Sequence, residues 1–394
     1  MPSPASQRSV AVFSGGGTGG HLYPALALAD ALVGLRPDVR VFFVGARRGL
    51  EARILPERGL DHLLLPVQGF RRGRVLENLA VVWSLLRSLF LTGELFSRLR
   101  PGVVVVTGGY ASGPAGIMAW IMGIPVALQE QNARPGVTTR IMARWSRQIH
   151  LAFPEALDHL PARARPRAKL SGNPVRSKGP LGPVEAKARL GLEADTRVVL
   201  AVGGSQGAEA MNEALSDVVQ GVETGELDRP EDVHLLWATG PRNFESVQRR
   251  LEAIGGAGWV HVREYIHDMP EALTSASLAV SRAGAMTTSE FLAWGVPALL
   301  VPLPTAAADH QSRNAESLAR AGSAVHLPEA ELSGITLWNT VISLLSTPGT
   351  LEGMKRAALE AGRPGATREI AEAVESLLPR PTRLVGKGIG GATS

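Results

Sequence analysis

The chain has 394 residues, 45% of them hydrophobic, with 41 Lys and Arg against 36 Asp and Glu and no cysteine. That length exceeds what one core usually fills, so two domains are expected, and the missing thiols exclude disulfides, thiolate metal sites and Cys nucleophiles. The net charge of +5 hides a split, with 22 basic and 10 acidic residues up to Arg176 and 19 and 26 beyond it, which predicts that the N-terminal half meets something anionic: nucleic acid, a membrane surface or a phosphorylated ligand.

Short apolar runs alternate with longer helix-period segments, the signature of parallel sheets wrapped by helices. The first seventeen residues hold no apolar h-region with a cleavage site, so no signal peptide is read and a cytoplasmic protein is expected. The first strand is "VAVFS" (10–14), and it runs into "GGGTGGH" (15–21). Gly15, Gly17 and Gly20 spell G-x-G-x-x-G, which suits any βα turn that brings a phosphate to a helix N-terminus. A dehydrogenase would carry an acid at the end of its second strand to hold ribose. Here "VRVFFVG" (39–45) is followed by Ala46, Arg47 and Arg48, so only an NADP reading survives. His21, on the first turn of the next helix beside this loop, is a candidate general base.

The third strand is "HLLLPV" (62–67). Residues 71–100 then form a helical segment, apolar from Leu79 to Leu91 except for Ser84, Arg87 and Ser88. This is short of the roughly 20 apolar residues a membrane span requires. It reads as a buried helix, or as an interfacial one: Trp83, Leu86 and Phe90 share a face, and Arg71, Arg72 and Arg74 precede it, a pattern suited to anionic lipid. "VVVVTG" (103–108) leads into a second glycine turn, "TGGYASGP" (107–114), whose amides suit a diphosphate. "PVALQE" (125–130) and "QIHLAF" (148–153) complete the first half, and "SGNPVRSKGPLGP" (171–183) reads as a linker.

The second half restarts the pattern. "RVVLAVGG" (197–204) enters the turn "GGSQGA" (203–208), where Ser205 can donate to a phosphate. Strands follow at 233–240, 260–266, 278–284, 298–304 and 323–328. In "SRAGAMTTSE" (281–290) Gly284 and Ala285 allow close approach, and Glu290 can accept both hydroxyls of a ribose or serve as an ordinary helix N-terminal acid. "DHQSRNA" (309–315) opens a helix with His310 and Gln311, groups that can read sugar hydroxyls. No Asp-x-Asp occurs, so no metal is expected at a sugar-nucleotide site. Residues 380–394 lack apolar periodicity and read as a loose tail.

Seven of these segments occur in one order: "GGTGGH" (16–21), "GGYASGP" (108–114), "QEQNARPG" (129–136), "GNPVR" (172–176), "GGSQGA", "SRAGAMTTSE" and "DHQSRNA". In that order they resemble the MurG family of N-acetylglucosaminyltransferases, over about residues 9 to 378. The resemblance implies an α/β GT-B fold, two Rossmann-like domains separated by a cleft. Residues 1–172 would be the acceptor and membrane-associating domain and 173–379 the UDP-GlcNAc domain. It implies inverting transfer of GlcNAc from UDP-GlcNAc to the C4 hydroxyl of MurNAc in undecaprenyl-linked lipid I, giving lipid II for peptidoglycan synthesis. The enzyme would sit at the anionic cytoplasmic face of the plasma membrane, with no cofactor and no nucleic acid.

Residue by residue, the resemblance implies that Ile266 meets the uracil, Glu290 the ribose, Ser205 with Ala285, Met286 and Thr287 the diphosphate, and Gln311 the GlcNAc hydroxyls. Arg176 and Asn132 would complete the donor site, and Thr18, Gly19 and Gly20 would close on it. Gly16, Gly17, Gly108, Gly109, Tyr110 and Ser112 would hold the acceptor. His21 is the expected base and Glu130 a second candidate, equally readable as an orienting carboxylate. The family commonly has His before Glu-Gln-Asn. This chain has Gln129, which can hydrogen-bond but cannot act as a base. A UDP-GlcNAc 2-epimerase on the same fold is the competing enzyme.

Overall fold

The computed structural model describes residues 9–69, 75–176, 179–204, 207–306 and 309–379. The first sheet contains β1 (Val10–Ser14), β2 (Arg40–Ala46), β3 (His62–Leu65), β4 (Val103–Val106), β5 (Val126–Glu130), β6 (Gln148–Leu151) and β7 (Ala168–Leu170). The second contains β8 (Arg197–Val202), β9 (Val233–Ala238), β10 (Val260–Arg263), β11 (Ala276–Ser281), β12 (Ala298–Leu300) and β13 (Ala324–His326). Their spatial orders are β3-β2-β1-β4-β5-β6-β7 and β10-β9-β8-β11-β12-β13, and every pairing is parallel. Strands β1 and β4 are buried along their whole length, as largely apolar runs must be when helices cover both faces of a sheet, and β5 is too although it ends in Gln129 and Glu130.

Helices α1 (Gly19–Leu35), α2 (Glu51–Glu57), α3 (Val75–Leu99), α4 (Gly113–Ile121) and α5 (Val137–Met142) belong to the first sheet. Helices α6 (Pro183–Leu190), α7 (Glu209–Glu223), α8 (Phe244–Ala253), α9 (Met269–Ser275), α10 (Ala285–Trp294), α11 (His310–Arg320), α12 (Gly334–Ser346) and α13 (Thr350–Ala361) follow with the second, and α14 (Ala366–Glu375) ends the described chain. The sheet order reverses direction between β1 and β4 and again between β8 and β11. At such switch points the loops at the carboxyl ends of the strands diverge and leave a crevice for a ligand. The four glycine turns seen in the sequence leave these four strands, so two α/β domains present their crevices to one cleft.

The twelve strands expected from apolar runs are present. β7 was missed because its residues Ala168, Lys169 and Leu170 are half-buried or exposed, and an edge strand of that kind carries no apolar signature. The last helix of the expected second domain, 173–379, crosses back to the first sheet. Helix α14 leaves the second sheet and packs on the first domain, where Ile370, Val374 and Leu378 join Phe13, Leu22 and Leu26 in one core. Gln148 Nε2 donates to the Ala373 carbonyl at 2.9 Å, and Thr367 Oγ1 donates to the Val175 carbonyl at 2.8 Å. Ala133, Phe153 and Val175 in turn join the core of the second domain. The domains therefore share apolar contacts beside the cleft. The tail at 380–394 lies outside the described residues.

Candidate active site

A cavity of about 390 Å³ opens between the sheets, lined by Gly19, Gly20 and Tyr23 on one side and by Ile266, Thr287 and Glu290 on the other. A second cavity, about 630 Å³, shares Gly204, Gly284 and Thr287 with the first and adds Gln311. The cleft thus extends past the α10 N-terminus toward α11.

On the first domain, Thr18 caps α1 with extended backbone, and its carbonyl accepts the N–H groups of His21 and Leu22. The ring of His21 lies against the second glycine turn. Gly108 and Gly109 have φ of +91° and +76°, and a Cβ on either would come within 3.0 Å of that ring. Only glycine satisfies both conditions. His21 Nδ1 is 2.9 Å from the Thr107 carbonyl and 2.8 Å from Gln131 Oε1. A carbonyl can only accept, so Nδ1 carries the proton and Nε2 keeps its lone pair. That is the tautomer a general base requires.

The first glycine loop has an internal anion that the sequence reading missed. The Glu51 carboxylate, wholly buried at the start of α2, accepts the Gly17 N–H at 2.9 and 3.1 Å and the Ala46 N–H at 2.8 Å. It fills the space left by the absent side chains of Gly16, Gly45 and Gly49. A pyrophosphate on this loop would face a buried carboxylate, which removes the dinucleotide reading. The signal was Gly45 and Gly49 bracketing the turn before Glu51, but their common neighbour is visible only in three dimensions.

Other expected site residues are turned to internal work. Ser112 is buried and donates to the Gly109 carbonyl at 2.9 Å, closing the short 3₁₀ turn Tyr110–Ser112. Tyr110 packs over Gly17, and burial raises its hydroxyl pKa. Glu130 is 2% exposed. Its carboxylate accepts the Asn132 N–H at 3.0 Å, Asn132 Nδ2 at 3.1 Å and the Gly136 N–H at 3.4 Å. It therefore braces the loop after β5. The same loop meets the second domain through Asn314, whose Oδ1 accepts the Ala133 N–H while its Nδ2 donates to the Ala283 carbonyl, both at 3.1 Å. Asn314 was not singled out from sequence, although it lies within "DHQSRNA".

On the second domain, Gly284 caps α10 in an extended conformation. Thr288 N–H makes the first intrahelical bond back to Gly284, so the N–H groups of Ala285, Met286 and Thr287 end the helix without intrahelical partners. The helix dipole adds positive potential there. Glu290 lies one turn in, its carboxylate 3.7 Å from Arg176 Nε. Burial pushes its pKa up and the Arg176 guanidinium pulls it back. Ile266 is buried in the loop after β10, and Gln311 accepts the Leu303 N–H at 3.0 Å. Ser205 lies outside the described residues. Among the described residues, no group of three or more His, Asp or Glu could hold a metal ion.

Helix α3 presents Trp83 (75% exposed), Leu86 and Phe90 (72% exposed) to solvent, while Val81 and Phe96 face inward. Arg71, Arg72 and Arg74 lie outside the described residues. Helix α4 packs on α3, with Met118 against Gly93, and adds exposed Trp120 and Ile121. Among the described residues no helix is long and apolar enough to cross a membrane.

Residues 11–151 match the glycosyltransferase family 28 N-terminal domain, and residues 198–374 match the C-terminal domain of that family. The chain belongs to glycosyltransferase family 28. A Salinibacter ruber relative, named UDP-N-acetylglucosamine--N-acetylmuramyl-(pentapeptide) pyrophosphoryl-undecaprenol N-acetylglucosamine transferase, is 42% identical over 93% of this chain and 96% of its own length. A Desulfitobacterium hafniense protein of the same name is 38% identical over 91% and 96%. The crystal structure of Acinetobacter baumannii MurG superposes with a TM-score of 0.73 at 27% identity, covering 93% of this chain and 99% of that one. A Neisseria meningitidis UDP-GlcNAc 2-epimerase shares the fold, with a TM-score of 0.63 at 14% identity. The two α/β domains are thus the GT-B fold of a family 28 transferase.

Proposed function

We propose that this chain moves GlcNAc from UDP-GlcNAc to the C4 hydroxyl of MurNAc in undecaprenyl-linked lipid I, forming lipid II for peptidoglycan synthesis. The observation that carries the reading is one cleft with two unlike walls. His21, proton on Nδ1, stands beside one wall, and the open first turn of α10 with Glu290 behind it forms the other.

In this reading the second domain binds the donor. Ile266 meets the uracil through its backbone, and Glu290 accepts the ribose hydroxyls. Ser205 and the amides of Ala285, Met286 and Thr287 hold the diphosphate. Gln311 reads the GlcNAc hydroxyls through its amide nitrogen, Arg176 and Asn132 complete the pocket, and Thr18, Gly19 and Gly20 close from the opposite side. The first domain binds lipid I. Gly108, Gly109 and Tyr110 are the groups for its diphosphate and muramyl sugar, while Gly16, Gly17 and Ser112 shape the turn, because the Gly17 amide and the Ser112 hydroxyl already have internal partners.

His21 Nε2 takes the proton of the acceptor C4 hydroxyl as its oxygen attacks C1 of GlcNAc. The C1–O bond to the β-phosphate breaks, and UDP leaves with the bonding electrons. Attack opposite the leaving group inverts C1 and gives a β-1,4 linkage. Charge developing on UDP is met by the α10 N-terminus, so the step requires no metal. Glu130 holds the Asn132 loop and leaves the base role to His21.

The exposed apolar face of α3 and α4, with Arg87 on the same helix and Arg140 and Arg144 on and just after the adjacent α5, fits peripheral binding to the anionic cytoplasmic face of the plasma membrane. The test is UDP release from UDP-GlcNAc in EDTA, with and without a lipid I analogue. Release that depends on the acceptor and is lost in His21→Ala and Glu290→Ala is expected. Release indifferent to acceptor would overturn the lipid II reading in favour of an epimerase, and full turnover in His21→Ala would return the base to Glu130.

A further inference from the structure

Four side chains lie in a row between the cleft wall of the first domain and the helix that opens the donor site. His21 Nδ1 is 2.8 Å from Gln131 Oε1. Gln131 Nε2 donates to Gln129 Oε1, and Gln129 Nε2 donates to Asn173 Oδ1 at 2.8 Å. Asn173 Nδ2 donates to Ser289 Oγ at 2.8 Å and to the Ala285 carbonyl at 3.3 Å. The three amides are almost wholly buried, at 1%, 1% and 2% exposure.

Main-chain carbonyls fix the sense of this chain. Gln131 Nε2 also faces the carbonyls of Thr107 (2.8 Å) and Gln129 (3.1 Å), and Asn173 Nδ2 also faces the Gln131 carbonyl (3.0 Å). Carbonyls only accept, so the amide nitrogens of Gln131 and Asn173 face them and each amide oxygen in the row points back toward His21. The dipoles run head to tail. Bonds in such a buried row polarise one another, and the end presented to His21 is negative.

We propose that Gln131, Gln129 and Asn173 are positioning residues: a polarised amide chain that holds the His21 ring, supports the positive charge it gains as a base, and ties it to the first turn of α10. The inference rests on the reading of His21 as the base. A neutral chain performs the task that a carboxylate performs for the histidine of a catalytic triad. Gln129 is its central member because it must donate on one side and accept on the other at any pH. The chain also crosses between domains. Asn173 lies in the linker and Ala285 opens the donor helix, so His21 is fully held only while the donor domain is docked.

Gln129→His makes this testable, because a neutral imidazole both donates and accepts while an imidazolium only donates. The titratable and charged groups around the row are His21 on α1, Glu130 beside Gln129, His150 opposite Gln129 on β6, the paired Lys169 and Glu369 near His150, Arg363 against Gly172, and Arg176 with Glu290 beyond Asn173 and Ser289. Glu130 bonds its own loop, and burial holds His150 neutral, with its pKa pushed down to about 4. The new imidazole is therefore the group whose titration changes the row.

The experiment is kcat against pH from 5.5 to 9 for wild type, Gln129→His, Gln129→Leu and His21→Ala, with UDP affinity and thermal unfolding of each. Gln129→Leu is expected to lose about tenfold in kcat at every pH, with UDP affinity within about twofold. Gln129→His should match wild type near pH 9 and fall toward the leucine variant as pH drops through the imidazole range. A constant ratio of Gln129→His to wild type, with His21→Ala inactive, would overturn the chain while leaving the base intact. Full activity in His21→Ala would overturn the base and the chain together. Should the leucine variant fail to fold, the histidine profile alone decides.

Discussion

Replacing Glu51 with alanine should unfasten the first glycine loop while leaving the α10 turn of the second domain in place. The carboxylate serves two backbone N–H groups, of Gly17 and Ala46, through contacts of 2.8 to 3.1 Å. Bonds to a charged acceptor are each worth roughly 1.5–3 kcal/mol, and a buried amide left unpaired costs a similar amount. Ala46 is buried and cannot recruit water, whereas Gly17 is only half-buried. The expected loss of stability is therefore about 2–4 kcal/mol, read as a lower midpoint in urea unfolding. Glu51→Gln keeps the volume but turns an N–H2 toward one of the two donors, so its loss should be about 1–3 kcal/mol. His21 is four residues beyond Gly17, and Tyr110 packs on Gly17. Both variants should lose kcat with the lipid I analogue more than they lose UDP affinity, because Ala285–Glu290 lies on the other domain. Unfolding within about 0.5 kcal/mol of wild type in Glu51→Ala, with unchanged kcat, would refute the idea that this carboxylate holds the catalytic loop.

His150 is buried with Nδ1 on Ser171 Oγ at 2.9 Å, and desolvation pushes its pKa down to about 4. The unfolded chain binds this proton near pH 6.5 and the folded one does not, so stability is intact above 6.5 and falls as pH drops toward 4, by about 3 kcal/mol from this group. Equilibrium unfolding should show that slope, and His150→Leu should remove it. Glu290→Gln should raise the KM for UDP-GlcNAc about 10- to 100-fold, the cost of a hydrogen bond to a charged group. Because burial raises the Glu290 pKa, donor affinity in wild type should begin to decline at a higher pH than an ordinary carboxylate dictates, and that acid limb should vanish in Glu290→Gln. Trp83→Ser, Leu86→Ser and Phe90→Ser combined should weaken binding to anionic vesicles by about 100-fold or more, since each large side chain is worth roughly 1.5–3 kcal/mol of burial. Turnover of a water-soluble acceptor analogue should not change. Equal vesicle affinity in a sedimentation assay would remove α3 from the membrane face.

Much of this protein can be read along the chain because its strands are local signals. "VAVFS", "VVVVTG" and "RVVLAVGG" are apolar runs that only a sheet covered on both faces can bury, and each is followed by glycines where a ligand and a helix N-terminus meet. Glu290 was legible for the same reason, as an acid within the first turns of a helix after such a loop. What the tertiary structure alone decided has no local signature. Glu51 reads as an ordinary helix-start acid until the Gly17 loop folds over it from 34 residues away. Gln131 meets His21 across 110 residues, Asn173 meets Ser289 across 116, and α14 returns to a sheet whose first strand lies more than 350 residues earlier. Propensity and periodicity describe how a segment satisfies its own backbone and which face it buries. The partners of a buried polar side chain depend instead on which distant segments the closed fold brings within 3 Å, and in this chain those partners orient His21.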